Sequence, residues 1–121
     1  MVRSRNHTIA RIVSGVALTD GFKATAYDAE TLSSGTLTPS PLNGNLQRYI
    51  NGGAHTLAPP SESGDYTIII QMTNNGSAGA ITSSGFTMVT GDSLTTTNGH
   101  DFLFYITKLN SFTHLHKVAL Q

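Results

Sequence analysis

Histidines and carboxylates are the side chains most able to do chemistry in a chain that has no cysteine, and two short motifs bring them together. His100-Asp101, within the stretch VTGDSLTTTNGHDFLFYI at 89–106, sets a base next to an acid. Adjacent residues in a strand point to opposite faces, so the pair cannot make the mutual hydrogen bond that a catalytic triad requires. His114-Leu115-His116 does the reverse and puts two imidazoles on one face of an extended chain. A metal site needs at least one more ligand. His7, His55 and His100 are the other histidines, and none has a partner at ligand-like spacing, so no metal is expected. Ser83, Ser84 and Ser93 lie outside any Gly-x-Ser-x-Gly elbow. The seven acids, Asp20, Asp28, Glu30, Glu62, Asp65, Asp92 and Asp101, form no pair that spacing would single out for acid–base work. Gly76-Ser77-Ala78-Gly79 follows an apolar run but lacks the lysine of a phosphate-binding loop. Its small residues suit a tight connection or a close backbone approach. These residues therefore predict no catalytic site, no cofactor and no small-molecule substrate: the chain is not expected to be an enzyme.

One charge asymmetry remains. Arg3, Arg5 and Arg11 occur before the first acidic residue, Asp20, and make the beginning of the chain basic. Such an arm suits docking onto an acidic protein surface, and these three arginines are the candidate partner-binding residues. Three phosphate contacts are too few to hold DNA firmly at physiological salt.

The elements that would carry these residues are mostly strands. Tyr66, Ile68, Ile70 and Met72 alternate with Thr67, Gln71 and Thr73, the period of a strand with one wet face. Ile69 interrupts the polar set. Phe102-Leu103-Phe104-Tyr105-Ile106 is apolar at every position and reads as a strand buried between layers. Four Asn-Gly dipeptides, at 43–44, 51–52, 75–76 and 98–99, signal tight turns between antiparallel strands. Strands are expected at 46–50, 66–73, 85–90, 102–108 and 114–120, with short edges at 54–57 and 93–96. Residues 9–18 fit a short helix or a strand. The segment TLSSGTLTPSPLNGN at 31–45 is rich in Ser, Thr, Gly and Pro, which argues for an extended strap. No internal repeat of useful length stands out. The expected organisation is an N-terminal arm and strap over 1–45 and an antiparallel β domain over 46–121. The fold class is all-β, a compact antiparallel β-sandwich or small barrel with an extended N-terminal arm.

Composition narrows the function further. The 121 residues carry no formal net charge, and only 12% are charged, so the chain has little long-range field to attract nucleic acid or a membrane surface. Its 38% of apolar residues suffice for one modest core without disulfide support. No apolar run approaches the roughly 20 residues of a membrane-spanning helix, and a soluble protein made in the cytoplasm is expected.

QRYINGGAHTLAPP (47–60), TIIIQMTNNGSAGAITSSGFTMVTGD (67–92), FLFYITK (102–108) and the ending HKVALQ resemble a module that recurs in small structural proteins of tailed bacteriophages. The resemblance covers about the last two thirds of the chain. It implies a capsid cement, or decoration, protein of the virion, one that sits on the outside of the shell and bridges major capsid protein subunits. It further implies association with copies of itself, as a homotrimer at local threefold positions or as a monomer at each site. The same β texture also occurs in tail and tail-fibre proteins, where the partner would be a host glycan or a tail scaffold.

Overall fold

The computed structural model describes residues 23–121. Arg3, Arg5, Arg11 and the segment 9–18 lie outside the described residues. Nine strands follow one another: β1 (Tyr27–Leu32), β2 (Thr36–Leu37), β3 (Leu46–Asn51), β4 (His55–Leu57), β5 (Tyr66–Asn74), β6 (Ile81–Ser83), β7 (Met88–Gly91), β8 (Asp101–Leu109) and β9 (Phe112–Ala119). A single 3-10 turn, Pro41–Asn43, separates β2 from β3. They build a six-stranded wall in the order β1-β3-β5-β8-β9-β7 and a three-stranded wall in the order β2-β4-β6.

The chain alternates between the two walls three times, β1 to β2, β3 to β4 and β5 to β6. Neighbouring turns of this coil are parallel: Gln47 stands between Tyr27 and Ile70, and Leu57 between Leu37 and Ser83. β8 then pairs antiparallel with β5, β9 antiparallel with β8, and β7 parallel with β9. The all-β expectation holds, but the architecture is a short solenoid-like coil closed by a hairpin, not an antiparallel sandwich or barrel. Residues 27–37 contribute a strand to each wall, and Asn43-Gly44 ends the turn that leads into β3.

The difference has a local cause. Two of the small-wall strands stop at prolines: β2 ends two residues before Pro39 and β4 two residues before Pro59, because proline has no N–H to continue a ladder, while β6 stops ahead of Gly85. Three of the Asn-Gly pairs therefore turn coil corners or exits, and Asn98-Gly99 makes the turn that precedes β8. The one tight hairpin, β8–β9, turns instead through Asn110, which takes the left-handed conformation that asparagine tolerates (φ 55°). Residues 93–96 form no strand; they run as a loop between β7 and β8.

Inward-facing residues of the large wall make the core: Tyr49, Ile68, Ile70, Met72, Phe102, Phe104, Ile106 and Leu115, with Leu57 from the small wall. Each such side chain is worth about 1.5–3 kcal/mol on burial. β5 alternates as its sequence predicts. β8 alternates too, with Phe102, Phe104 and Ile106 buried but Leu103 and Tyr105 only half-buried, so it is not enclosed between layers.

Candidate functional site

His100 and Asp101 diverge. The His100 ring engages Thr95 Oγ1 through Nδ1 at 2.8 Å. The Asp101 carboxylate accepts from the Thr73 hydroxyl, and its backbone N–H donates to Gln121 Oε1. Their orientation gives no base–acid dyad.

His114 and His116 do share a face. Thr90 Oγ1, on the neighbouring β7, lies 2.6 Å from His114 Nε2 and 2.8 Å from His116 Nδ1. A hydroxyl has one proton and two lone pairs, so it can donate to one ring and accept from the other, which ties both imidazoles into the sheet surface. Among the described residues, no three of His, Cys, Asp and Glu converge in a way that could hold a metal ion.

His55 is buried. Its Nδ1 lies 2.8 Å from the Gly53 carbonyl, which only accepts, so Nδ1 carries the proton. Nε2 is thereby left to accept from the Tyr49 hydroxyl at 2.9 Å, with the two rings edge to face at 5.4 Å between centroids. Burial raises the Tyr49 phenol well above its ordinary pKa. Tyr66 is raised as well, by desolvation first and the Glu62 carboxylate second.

Two asparagines organise the coil corners: Asn51, which the sequence marks only as part of a turn, and Asn74, which it does not single out. Asn51 and Asn74 are fully buried and stand in register on β3 and β5. Asn51 Nδ2 donates to Asn74 Oδ1 (3.0 Å) and to the Gly79 carbonyl (2.9 Å), while Asn51 Oδ1 accepts from the Gly53 and Gly79 N–H groups. Asn74 Nδ2 continues outward to the Thr95 and Thr97 carbonyls. This ladder pins the threonine loop at 95–97 to the coil. The signal in the sequence is an Asn that recurs at the ends of β3 and β5, in Asn51-Gly52 and Asn74-Asn75-Gly76.

The outward face of the large wall is the candidate site. Five of the large apolar residues that stand exposed, Leu46, Ile50, Met88, Leu109 and Phe112, belong to it by strand alternation. Half-buried Ile69, Leu103, Tyr105 and Val118 fill the space between them. Pairing aligns them in rows: Leu46, Ile69, Tyr105 and His116 form one, and Arg48, Gln71, Leu103 and Val118 the next. Charge on this face comes from Arg48, mid-way along β3, which pairs with Asp28 at 3.2 Å, and from Asp101, which is held by Thr73. Beside that ion pair is a hollow of about 300 Å³ lined by Asp28, Arg48, Ile50, Gln71 and Thr73. Comparison with known proteins finds no family model, no curated protein and no solved structure that matches the chain.

Proposed function

We propose that the chain is a non-enzymatic structural protein of a tailed-bacteriophage particle, a decoration protein that binds the outside of the shell and stabilises contacts between major capsid subunits. One observation carries the reading. The described histidines, Asn51, Asn74 and Asp101, which could do chemistry, are tied into the fabric of the coil, whereas large apolar side chains are left on the outward face. A surface of that kind suits a protein partner better than a substrate. The resemblance of 47–60, 67–92 and 102–108 to phage structural modules points the same way. In this reading the basic arm with Arg3, Arg5 and Arg11 grips the capsid, and repeated weak contacts add up by avidity. Quantifying the protein in purified virions tests it: hundreds of copies per particle are expected, and a few to some tens would overturn it in favour of the tail.

A tail or tail-fibre module that binds a host glycan is the second reading, and one feature favours it. The hollow beside Arg48 offers a guanidinium, a carboxylate, an amide and a hydroxyl around an apolar floor, Ile50, which suits the hydroxyls and ring face of a sugar.

A further inference from the structure

The two walls differ in width, six strands against three, so the inner side of the large wall continues past the last strand of the small one, β6. Ser84 N–H donates to the Leu57 carbonyl and the Ala80 carbonyl accepts from His55 N–H, so the even-numbered residues of β6 face β4. Ile81 and Ser83 therefore turn their N–H and C=O groups the other way, to an edge where no further strand pairs among the described residues. At this edge lies a slot of about 310 Å³, with Gly79, Ala80 and Ile81 on one lip, Ser93–Thr96 on the other, and Lys117 of β9 also lining it. Lys117 stands opposite Phe104 in the β8–β9 ladder, which places it on the inner side of the wall. Both lips are fixed by the asparagine ladder: Asn51 bonds the Gly79 N–H and carbonyl, Asn74 bonds the Thr95 and Thr97 carbonyls, and the two amides bond each other. We propose that this slot is a docking site for an extended acidic segment of a partner protein, which adds to β6 as the fourth strand of the small wall and sets a carboxylate on Lys117. The proposal rests on the reading of the chain as a protein held by protein contacts, and names the chemistry of one partner segment.

Backbone chemistry and charge select that occupant. Donors and acceptors that alternate along a strand edge are matched by another polypeptide backbone, and neither a sugar nor a nucleic-acid strand presents that pattern. The ammonium of Lys117 selects an anion, because no carboxylate among the described residues pairs with it. Asp92, which follows β7, has its carboxylate engaged by the Ala119 N–H. Ser93, Thr95 and Thr96 add hydroxyls to the same rim. The chain itself supplies no good candidate. Its first 19 residues contain arginines and no acid, which sets cation against cation at Lys117. A second copy's β6, within GAITSSG at 79–85, would enter the slot without a carboxylate. A partner strand with an aspartate or glutamate among β-branched residues meets both requirements, its backbone on β6 and its acid on the lysine.

Selection of random heptapeptides on the immobilised full chain tests this. Enriched peptides are expected to carry an aspartate or glutamate flanked by β-branched residues. Lys117→Gln should weaken their binding about tenfold. Lys117→Glu, selected afresh, should enrich lysine- or arginine-bearing peptides instead. Ser83→Pro removes an edge N–H that β4 does not use, so it should leave the circular dichroism spectrum unchanged and weaken the same peptides comparably. N-methylation of alternate amides in an enriched peptide should have the same effect, which keeps the backbone contact measurable if Ser83→Pro fails to fold. No enrichment, or enrichment of peptides without an acid, overturns the proposal. Acidic peptides whose binding ignores Lys117→Gln overturn it too, as do acidic peptides that tolerate N-methylation at every amide. Copy number in virions is independent: a protein scarce in particles that selects acidic peptides keeps this proposal and removes the decoration reading, and an abundant one that selects none does the converse.

Discussion

Tyr49 and His55 show how a titratable pair can serve architecture alone. The ring of His55 bridges the Gly53 carbonyl and the Tyr49 hydroxyl, so the corner between β3 and β4 is locked to the core by one imidazole. Burial holds the phenol protonated, and linkage gives the sign of its effect on stability. A phenol whose folded pKa lies above its unfolded value, about 10, contributes stability that is fully present below pH 10. That contribution is lost as pH rises from there toward the folded pKa, at up to about 1.4 kcal/mol per pH unit. Urea denaturation between pH 8 and 11.5 should show this loss in the wild type. Tyr49→Phe should be less stable at pH 8, having lost the bond to His55, yet fall less steeply above pH 10; parallel slopes would refute the assignment. Asn51 illustrates the limit of reading single residues. Asn-Gly is a turn signal in any sequence, and nothing in the dipeptide reveals that the amide will bond to Asn74, 23 positions away.

At the scale of elements, the long strands were legible and their neighbours were not. Alternation in β5 is explicit because its outward face carries Thr67, Gln71 and Thr73; in β8 it is hidden because Leu103 and Tyr105 make the outward face apolar as well. The coil escaped notice because its small-wall strands are two or three residues long. Its repeat is nevertheless present: Thr36-Leu37-Thr38-Pro39 aligns with Thr56-Leu57-Ala58-Pro59 through the pairing of β2 with β4. The third turn, Thr82-Ser83-Ser84-Gly85, keeps the strand but loses Leu and Pro, so only two copies of the motif survive. Stacked corners demand small residues. A Cβ on Gly79 would overlap the Ala54 backbone nitrogen, whereas one on Gly76, three residues earlier, would meet open space. Gly79→Ala should therefore destabilise the protein by about 2 kcal/mol or more, and Gly76→Ala by under about 0.5 kcal/mol. Chemical denaturation of the two variants side by side checks the contrast, and equal losses would mean that the corners are not close-packed.

For the whole molecule, both walls and the core of the described residues lie within 23–121, and residues 1–20 are expected to serve attachment and not folding. Deleting them should leave the thermal midpoint within a few degrees of wild type and abolish attachment to capsids. Normal occupancy of the truncated protein on particles would refute the role given to Arg3, Arg5 and Arg11. The placement of the core along the chain has a further consequence, for synthesis. The coil turns emerge from the ribosome first, but Phe102, Phe104, Ile106 and Leu115, which fill the space between the walls, belong to β8 and β9 at the very end. At roughly 5–20 residues per second, the nascent chain spends about 1–4 s with three parallel turns made and nothing to close them. A ribosome-arrested chain ending at residue 98 should thus be cleaved as readily as an unfolded peptide, and protection from protease should arrive only once the last strand has cleared the exit tunnel.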